Sequence, residues 1–435
     1  MKPSIRSPHR RQQGAATLVV VMVLFLVMAL LAAYANRSLL FEQRMSGSYF
    51  RASVAQEVAE AGVEWTLAQL NGTGMDADCK PVDTGGQRFA DRYLLVNAAD
   101  RRITPAASAY AVVDCARDVA HEGWACRCAA PSSAPAARTA TAGTDLTPSF
   151  NVKFQNGDRS GTLMLKVLSC TDSVPNTCDG SSTITVSKNQ LARTNLSVQI
   201  GLVSAVRSPP AAPLVVRNGI ASAGGGGLGL HNSDARSAGQ LAVMGGKWTG
   251  AGRIDSRLES VPGTALNQVV AETDPVLANA DLTADSVFKM FMGASVARYS
   301  QHPSLRKVSC NGDCSGALEA AYNAGQRILW VDGDLAIQSD KVLGALNNPV
   351  LIIATGDVTL TGSFQINGML VSKGKLLWTN ALATPSVING IVLVGTDMET
   401  NGRMDIVYQQ TVADQLRNRM GSYVRIPGGW IDFDR

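Results

Sequence analysis

Residues 15–36 read AATLVVVMVLFLVMALLAAYAN, 22 consecutive residues without a charge. A helix of that length spans roughly 33 Å, enough for the hydrocarbon core of a bilayer. Ahead of it lies MKPSIRSPHRRQQG, carrying Lys2, Arg6, Arg10 and Arg11 and no acid. Positive charge before a span holds that end in the cytoplasm and sends the remainder of the chain across. A cleaved secretory signal would have a shorter apolar run, about 7–15 residues, with a small-residue cleavage site behind it. The stretch predicts a membrane-anchored chain whose body is exported.

Nothing forces the helix to stop at the membrane. No proline occurs between Pro8 and Pro81, and no glycine from Ala15 to Met45; these are the two residues that most disfavour helix interiors. Beyond Arg37, Phe41, Met45, Ser48, Ala52, Ala55, Ala59 and Gly62 recur at alternating steps of four and three. A second row, Val54, Val58, Ala61 and Trp65, runs beside it, so the apolar face is broad. Glu57, Glu60 and Glu64 form an acidic stripe elsewhere, Gly47 is the place for a bend, and Asn71-Gly72 is a natural stop. One helix over 15–70 would be on the order of 80 Å long. Its row of small residues suits packing on the protein's own sheet, or close packing against other helices.

The rest of the composition excludes two classes. With the four leader cations set aside, the remaining 35 basic residues equal the 35 acidic ones, so the body lacks the basic surface that nucleic acid requires. A hydrophobic content of 46% with low net charge excludes a disordered chain.

The stretch QQGAATLVVVMVLFLVMALLAAYANRSLLFEQRMSGSYFRASVAQEVAEAGVEW resembles the N-terminal region of PilX-type minor pilins of the Gram-negative type IV pilus. The likeness rests on the Gly14–Ala15 junction, on Glu42-Gln43-Arg44-Met45-Ser46-Gly47 and on Ala59-Glu60-Ala61-Gly62, and covers about the first seventy residues. It implies a class III leader cut between Gly14 and Ala15 by prepilin peptidase, with N-methylation of Ala15. It implies a lollipop: a long helix in the inner membrane holding a periplasmic head, assembled with other minor pilins and the major pilin, a tip adhesin being a further expected partner. Major pilins carry glutamate at the fifth mature position; counting from Ala15, this chain has Val19. A buried carboxylate is costly without its partner, so an apolar residue suits a subunit with no neighbour above it. The K-type minor pseudopilin of type II secretion resembles PilX-like pilins in lacking that acid, and is the first alternative. An exported carbohydrate-binding or hydrolytic module on a membrane anchor is the second.

The head is expected to be α+β, with an antiparallel sheet laid on the helix. Strand-like runs appear at 92–97, 110–114, 150–155, 162–169, 182–188 and 195–206, with Asn156-Gly157-Asp158 as a hairpin turn. Residues 129–145 form an Ala/Pro/Ser/Thr-rich loop. Ser208-Pro209-Pro210-Ala211-Ala212-Pro213 reads as a stiff linker between a head at 71–207 and a β-rich domain at 214–435. In the latter, Asn218-Gly219, Asn367-Gly368 and Asn389-Gly390 each precede an apolar residue, which suggests a β-solenoid; an ordinary sandwich is the alternative. A segment at 257–325, with helical patches at 286–299 and 316–323, interrupts it.

Eight cysteines, Cys79, Cys115, Cys126, Cys128, Cys170, Cys178, Cys310 and Cys314, read as up to four disulfides in an exported chain. Cys170/Cys178 and Cys310/Cys314 are the near pairs, which leaves three connectivities for the other four. Zinc on His121 with Cys115, Cys126 and Cys128 is the rival, disfavoured by the short Cys-Arg-Cys spacing. No cofactor motif is complete. Gly224-Gly225-Gly226-Gly227-Leu228-Gly229 lacks a following apolar helix, and Gly245-Gly246-Lys247-Trp248 lacks the Ser or Thr of a P-loop. Asp332/Asp334 in VDGD reads as a turn rather than a calcium loop. His9, His121, His231 and His302 sit apart in sequence with no local nucleophile motif. The expectation is a non-enzymatic protein.

Overall fold

The computed structural model describes residues 13–106, 112–118, 123–128, 147–172, 191–338 and 340–431. Its first element, α1 (Gln13–Leu70), is one helix of 58 residues, about 87 Å long. It passes straight through Gly47, whose carbonyl accepts Arg51 Nε at 3.1 Å. It stops at the expected place: the Gly72 N–H turns back to the Gln69 carbonyl at 3.0 Å, and the Asn71 side chain donates to the Leu67 carbonyl at 2.9 Å.

The upper part of α1 lies on an antiparallel sheet. In spatial order its strands are Gly421–Ile431, Arg193–Ser204, Thr162–Cys170, Ser149–Asn156, Val112–Asp118 and Gly123–Arg127. The Asn156-Gly157 turn does join an antiparallel hairpin. Val58, Ala59, Val63 and Leu70 of the helix share one core with Phe150, Val152, Leu165, Val167, Val198 and Ile200. The strand expected at 92–97 is present but shorter, Leu94–Val96, because the short helix α2 (Phe89–Tyr93) takes its first residues. Phe89, Ala90 and Tyr93 are all buried, and only a helical turn aims those three the same way. The run at 182–188, the whole 129–145 loop, His121 and Cys178 lie outside the described residues.

From Leu214 onward the chain winds into a parallel β-solenoid of three faces. The first face stacks Leu214–Val216, Ala242–Met244, Val270–Ala271, Ile328–Val331 and Val350–Ala354 with the second halves of Gln365–Ser372 and Ser386–Val394. The second is a 6-stranded sheet that includes Ile220–Ala223, Val358–Thr361, Leu376–Asn380 and Met398–Gly402. The third holds Leu228–His231, Leu258–Glu259, Met404–Val407 and the first halves of the two long strands. All these pairings are parallel, which a sandwich of antiparallel sheets would not show.

The rungs do not stack in chain order. Leu214 pairs with Ala242 on one side and with Val392 on the other, and Val392 pairs with Leu370. The chain thus enters mid-stack and climbs to one end at Val270. It then crosses to the opposite end near Ile328, and winds back until its last rung meets its first. We call that meeting the seam. One turn of helix, α3 (Leu266–Val269), precedes the last strand of the first half. Residues 272–327 make the crossover, with α4 (Ala284–Met292), α5 (Val296–Tyr299) and α6 (Ser315–Asn323). The interruption therefore begins after Ala271, not at Arg257, because Leu258–Glu259 and Val270–Ala271 are still rungs.

The first face is buried on both sides. Its inner residues fill the solenoid, while Val215, Ile328, Trp330, Leu351, Ile353, Met369 and Ile391 face outward into a second core with α4, α5 and α7 (Gln410–Asn418). Strands buried on both sides need continuous apolar runs such as Val350–Ala354 rather than alternation.

Two further expectations change. Asn367-Gly368 and Asn389-Gly390 do share a corner, with Asn389 Nδ2 donating to Asn367 Oδ1 at 2.8 Å. Asn218-Gly219 belongs to a different corner, where the Asn218 N–H meets the Thr396 carbonyl at 3.0 Å. The division at 208–213 also fails for the end of the chain: Gly421–Ile431 leaves the solenoid and pairs antiparallel with Arg193–Ser204 as a strand of the head.

Candidate functional site

The feature that demands a function is the lower half of α1. Every large apolar side chain described from Leu18 to Phe50 is exposed, Val19 at 58% and Phe25 at 76% among them. Burying such a side chain is worth roughly 1.5–3 kcal/mol, so more than a dozen left in water is an untenable state for a soluble protein. This surface is built to be covered, by lipid, by other helices, or by both.

The row of small residues divides along the helix. Phe41, Met45, Ser48 and Ala52 are exposed. Ala55 and Ala59 are fully buried on the sheet, where the Ser169 hydroxyl donates to the Ala55 carbonyl at 2.6 Å. Gly62 is tighter still: a Cβ there would lie 2.7 Å from Val167 Cγ1 and 3.0 Å from Phe150 Cδ2. Both uses foreseen for the row are thus available, one above Ala52 and one below it. Gly14 and Ala15 lie in the first turn of α1. Of the acidic stripe, Glu64 pairs with Arg425 of the last strand at 2.7 Å, while Glu57 and Glu60 are exposed.

The cysteines are structural. Cys115–Cys126 crosses a strand pair in register, Cys79–Cys128 ties the loop after α1 to the same sheet, and Cys310–Cys314 closes a loop before α6. Cys170 is also disulfide-bonded, while Cys178 lies outside the described residues. The thiols a zinc site would need are therefore consumed. Gly224, Gly226 and Gly227 have φ of 79°, 104° and 66° and turn the corner between the second and third faces, with no helix behind them to hold phosphate. In VDGD, Asp334 Oδ1 accepts the Asp357 N–H of the next rung at 2.8 Å, and Asp357 Oδ1 accepts the Lys375 N–H at 2.7 Å. That is a ladder of capped turns.

Two polar clusters were invisible in the sequence. At the seam, His231 Nε2 lies 3.0 Å from Asp405 Oδ1 and its Nδ1 lies 2.9 Å from Glu259 Oε2. Arg257 also pairs with Asp405. The Asp405 contact, more than Glu259, raises the His231 imidazole above its usual range against the pull of burial. Burial opposes ionisation of Asp405, but hydrogen bonds from His231 and Arg257 overcome it and hold that carboxyl low. The second cluster joins stalk to solenoid. Asn71 Oδ1 accepts the Tyr423 N–H and the Ser304 hydroxyl, both at 2.8 Å, and Asn71 Nδ2 donates to the Tyr423 carbonyl at 2.9 Å. Ser422 Oγ accepts the Ser304 N–H at 3.0 Å and lies 2.7 Å from His302 Nδ1. Neither cluster offers an accessible nucleophile, Ser422 being buried. Among the described residues no group of three or more His, Cys, Asp or Glu is arranged to hold a metal ion. A cavity of about 280 Å³ between Val215, Val243, Leu277, Met290 and Phe291 is apolar, with Asp274 and Gln240 at its wall.

Residues 13–64 match the family model for the PilX N-terminal region. No curated protein matches the chain. Among solved structures, the competence-associated pilin ComZ from Thermus thermophilus aligns over 87% of this chain and 94% of its own, at 8% identity and a TM-score of 0.19. That likeness is too loose to carry an argument. The exposed stalk is a PilX-type pilin N-terminus, and its long apolar helix fits a membrane-anchored, type IV pilin-like chain.

Proposed function

We propose that this protein is a minor pilin that helps prime type IV pilus assembly and sits at or near the tip. The observation that carries the reading is the division of α1. A PilX-type N-terminus runs unbroken into a helix whose lower half is apolar and unclaimed by its own head, which suits packing among the stalks of other minor pilins and the major pilin. In this reading prepilin peptidase cuts between Gly14 and Ala15, Ala15 is methylated, and the inner membrane holds the stalk until assembly while the head stands in the periplasm. Val19, at the fifth mature position, has no carboxylate to offer a subunit above, as a terminal position requires.

The enlarged head favours this reading over the K-type pseudopilin, whose added segment is expected to be helical, whereas the segment here is a β-solenoid. An exported sugar-binding or hydrolytic module built on the solenoid would want aromatics exposed there, yet Trp248, Trp330 and Trp378 are buried, and the exposed Trp430 lies on the last strand of the head. The test is to count tagged subunits on sheared pili while sequencing the N-terminus by mass spectrometry. The expected result is a few copies at filament ends and a mature chain beginning at Ala15. Even distribution at major-pilin abundance overturns the tip assignment, and any other mature N-terminus overturns the pilin processing.

A further inference from the structure

We propose that His302 makes the joint between stalk and solenoid an acid-opened latch. Protonation of its buried imidazole would release the Ser422–Ser304–Asn71 chain of hydrogen bonds that ties together the end of α1, the last strand and the crossover.

Three parts of the molecule meet at this one place. Asn71 ends the pilin helix, Ser422 belongs to the strand that returns from the solenoid, and His302 and Ser304 belong to the crossover that spans it. The His302 ring is stacked on Tyr299 of α5, with centroids 5.3 Å apart and planes at 21°. Tyr299 stacks in turn on Trp330 of the first face at 6.3 Å, and its hydroxyl donates to the Ala205 carbonyl at 2.7 Å. The edge of the imidazole that points away from Ser422, Nε2, is buried and finds no hydrogen-bond partner among the described residues.

A cation has no counterpart here. Besides Tyr299, the titratable or charged groups on the elements packed around the ring are Tyr423 and Arg425 of the last strand, Arg298 of α5, Arg306 and Lys307 of Leu305–Lys307, and Asp332 beside Trp330. Arg425 is engaged with Glu64. Asp332 is engaged with Lys307 and the Trp330 indole N–H. Ser422 is the one side chain that hydrogen-bonds the ring among the described residues. Ser422 Oγ can accept an Nδ1 proton while donating to Ser304 Oγ at 3.2 Å. The second proton of an imidazolium falls on Nε2, which has no acceptor among the described residues, and solvating it means moving the ring off Ser422.

Burial accordingly pushes the His302 imidazole down to about 4. Linkage sets the sign: a histidine held below its unfolded value stabilises the closed form above about pH 6.5, and that stability drains away as pH falls toward about 4. Over that window the open form gains up to ~10-fold per pH unit, so roughly 30-fold between pH 7.5 and pH 5.

The test uses the full chain in detergent. Hydrogen exchange read by mass spectrometry, corrected for intrinsic rates, is compared at pH 7.5 and pH 5 over peptides containing Ser304 and Ser422. The wild type should exchange roughly 30-fold faster at pH 5, and His302→Gln should show no such acceleration. An unchanged wild-type rate, or equal acceleration in the variant, overturns the latch. Should the variant fail to fold, the wild type still decides. The chain has only four histidines, and labelled-imidazole NMR must find one titrating well below 6.5. If none does, the proposal falls.

Discussion

Gly62 shows how one side chain sets the division of labour along α1. The helix can lie against the head sheet only because nothing projects there, since a Cβ would meet Val167 and Phe150. Gly62→Val should cost about 1–3 kcal/mol by overpacking, read as a lower unfolding midpoint in urea. Ala52→Val, ten residues lower and exposed, should leave the midpoint unchanged; in the proposed pilin role it would act on assembly instead. His231 supplies a second test, with a sign opposite to that of His302. Its imidazole is raised, chiefly by Asp405, so its contribution is complete below about pH 6.5 and is lost as pH rises through the elevated folded value. Melting curves of wild type and His231→Gln should therefore differ more at pH 6 than at pH 9. A difference that grows with pH would show that the imidazolium does not clamp the seam.

Among the elements, those written in local pattern were legible and those written in distant pairing were not. The steps of four and three over 41–62 defined α1, and Asn156-Gly157 between alternating runs defined the hairpin, because both signals lie within a few residues of the structure they specify. The solenoid's repeat was harder to see. Gly333, Gly356 and Gly374 stack at the corner between the first and second faces, the Gly356 N–H meeting the Gly333 carbonyl at 2.8 Å and the Gly374 N–H the Gly356 carbonyl at 3.0 Å. Their spacings in sequence are 23 and then 18 residues, and the column continues through Thr396 and Asn218, so no fixed period survives. The Asn-Gly pairs mark another corner at which backbone strain is real. Gly390 has φ of 147°, and a Cβ there would sit 1.8 Å from the Gly368 carbonyl oxygen. Gly390→Ala should cost at least about 2 kcal/mol, because backbone rather than a yielding side chain stands in the way. A thermal melt within a degree of wild type would show that the corner can relax. The two polar clusters were illegible for the same reason as the seam: His231 and Asp405, or Asn71, His302 and Ser422, are brought together only by the completed topology.

At the scale of the whole molecule, the order of stacking decides how its parts depend on one another. The solenoid opens and closes in mid-stack, so the chain leaves the head at Arg193–Ser204 and returns to pair with that same strand at Gly421–Ile431. The head sheet is therefore finished by the last residues described, and the solenoid is an insertion within it. Tyr423 is buried in the core that α1 shares with the sheet, a burial worth about 2–3 kcal/mol. Its backbone also closes two hydrogen bonds with Asn71, each worth about 1 kcal/mol net. A loss on the order of 5 kcal/mol approaches the whole stability of a typical domain. Truncation after Met420 should accordingly unfold the head while sparing the solenoid, whose rungs and α7 it leaves untouched. Limited proteolysis followed by peptide mapping measures this. Cuts are expected across 147–206 in the truncated chain at protease levels that leave the full chain intact, with 214–407 protected in both. A truncated chain whose head resists as well as its parent would mean that the returning strand is an accessory to the sheet, and that head and solenoid are two consecutive domains after all.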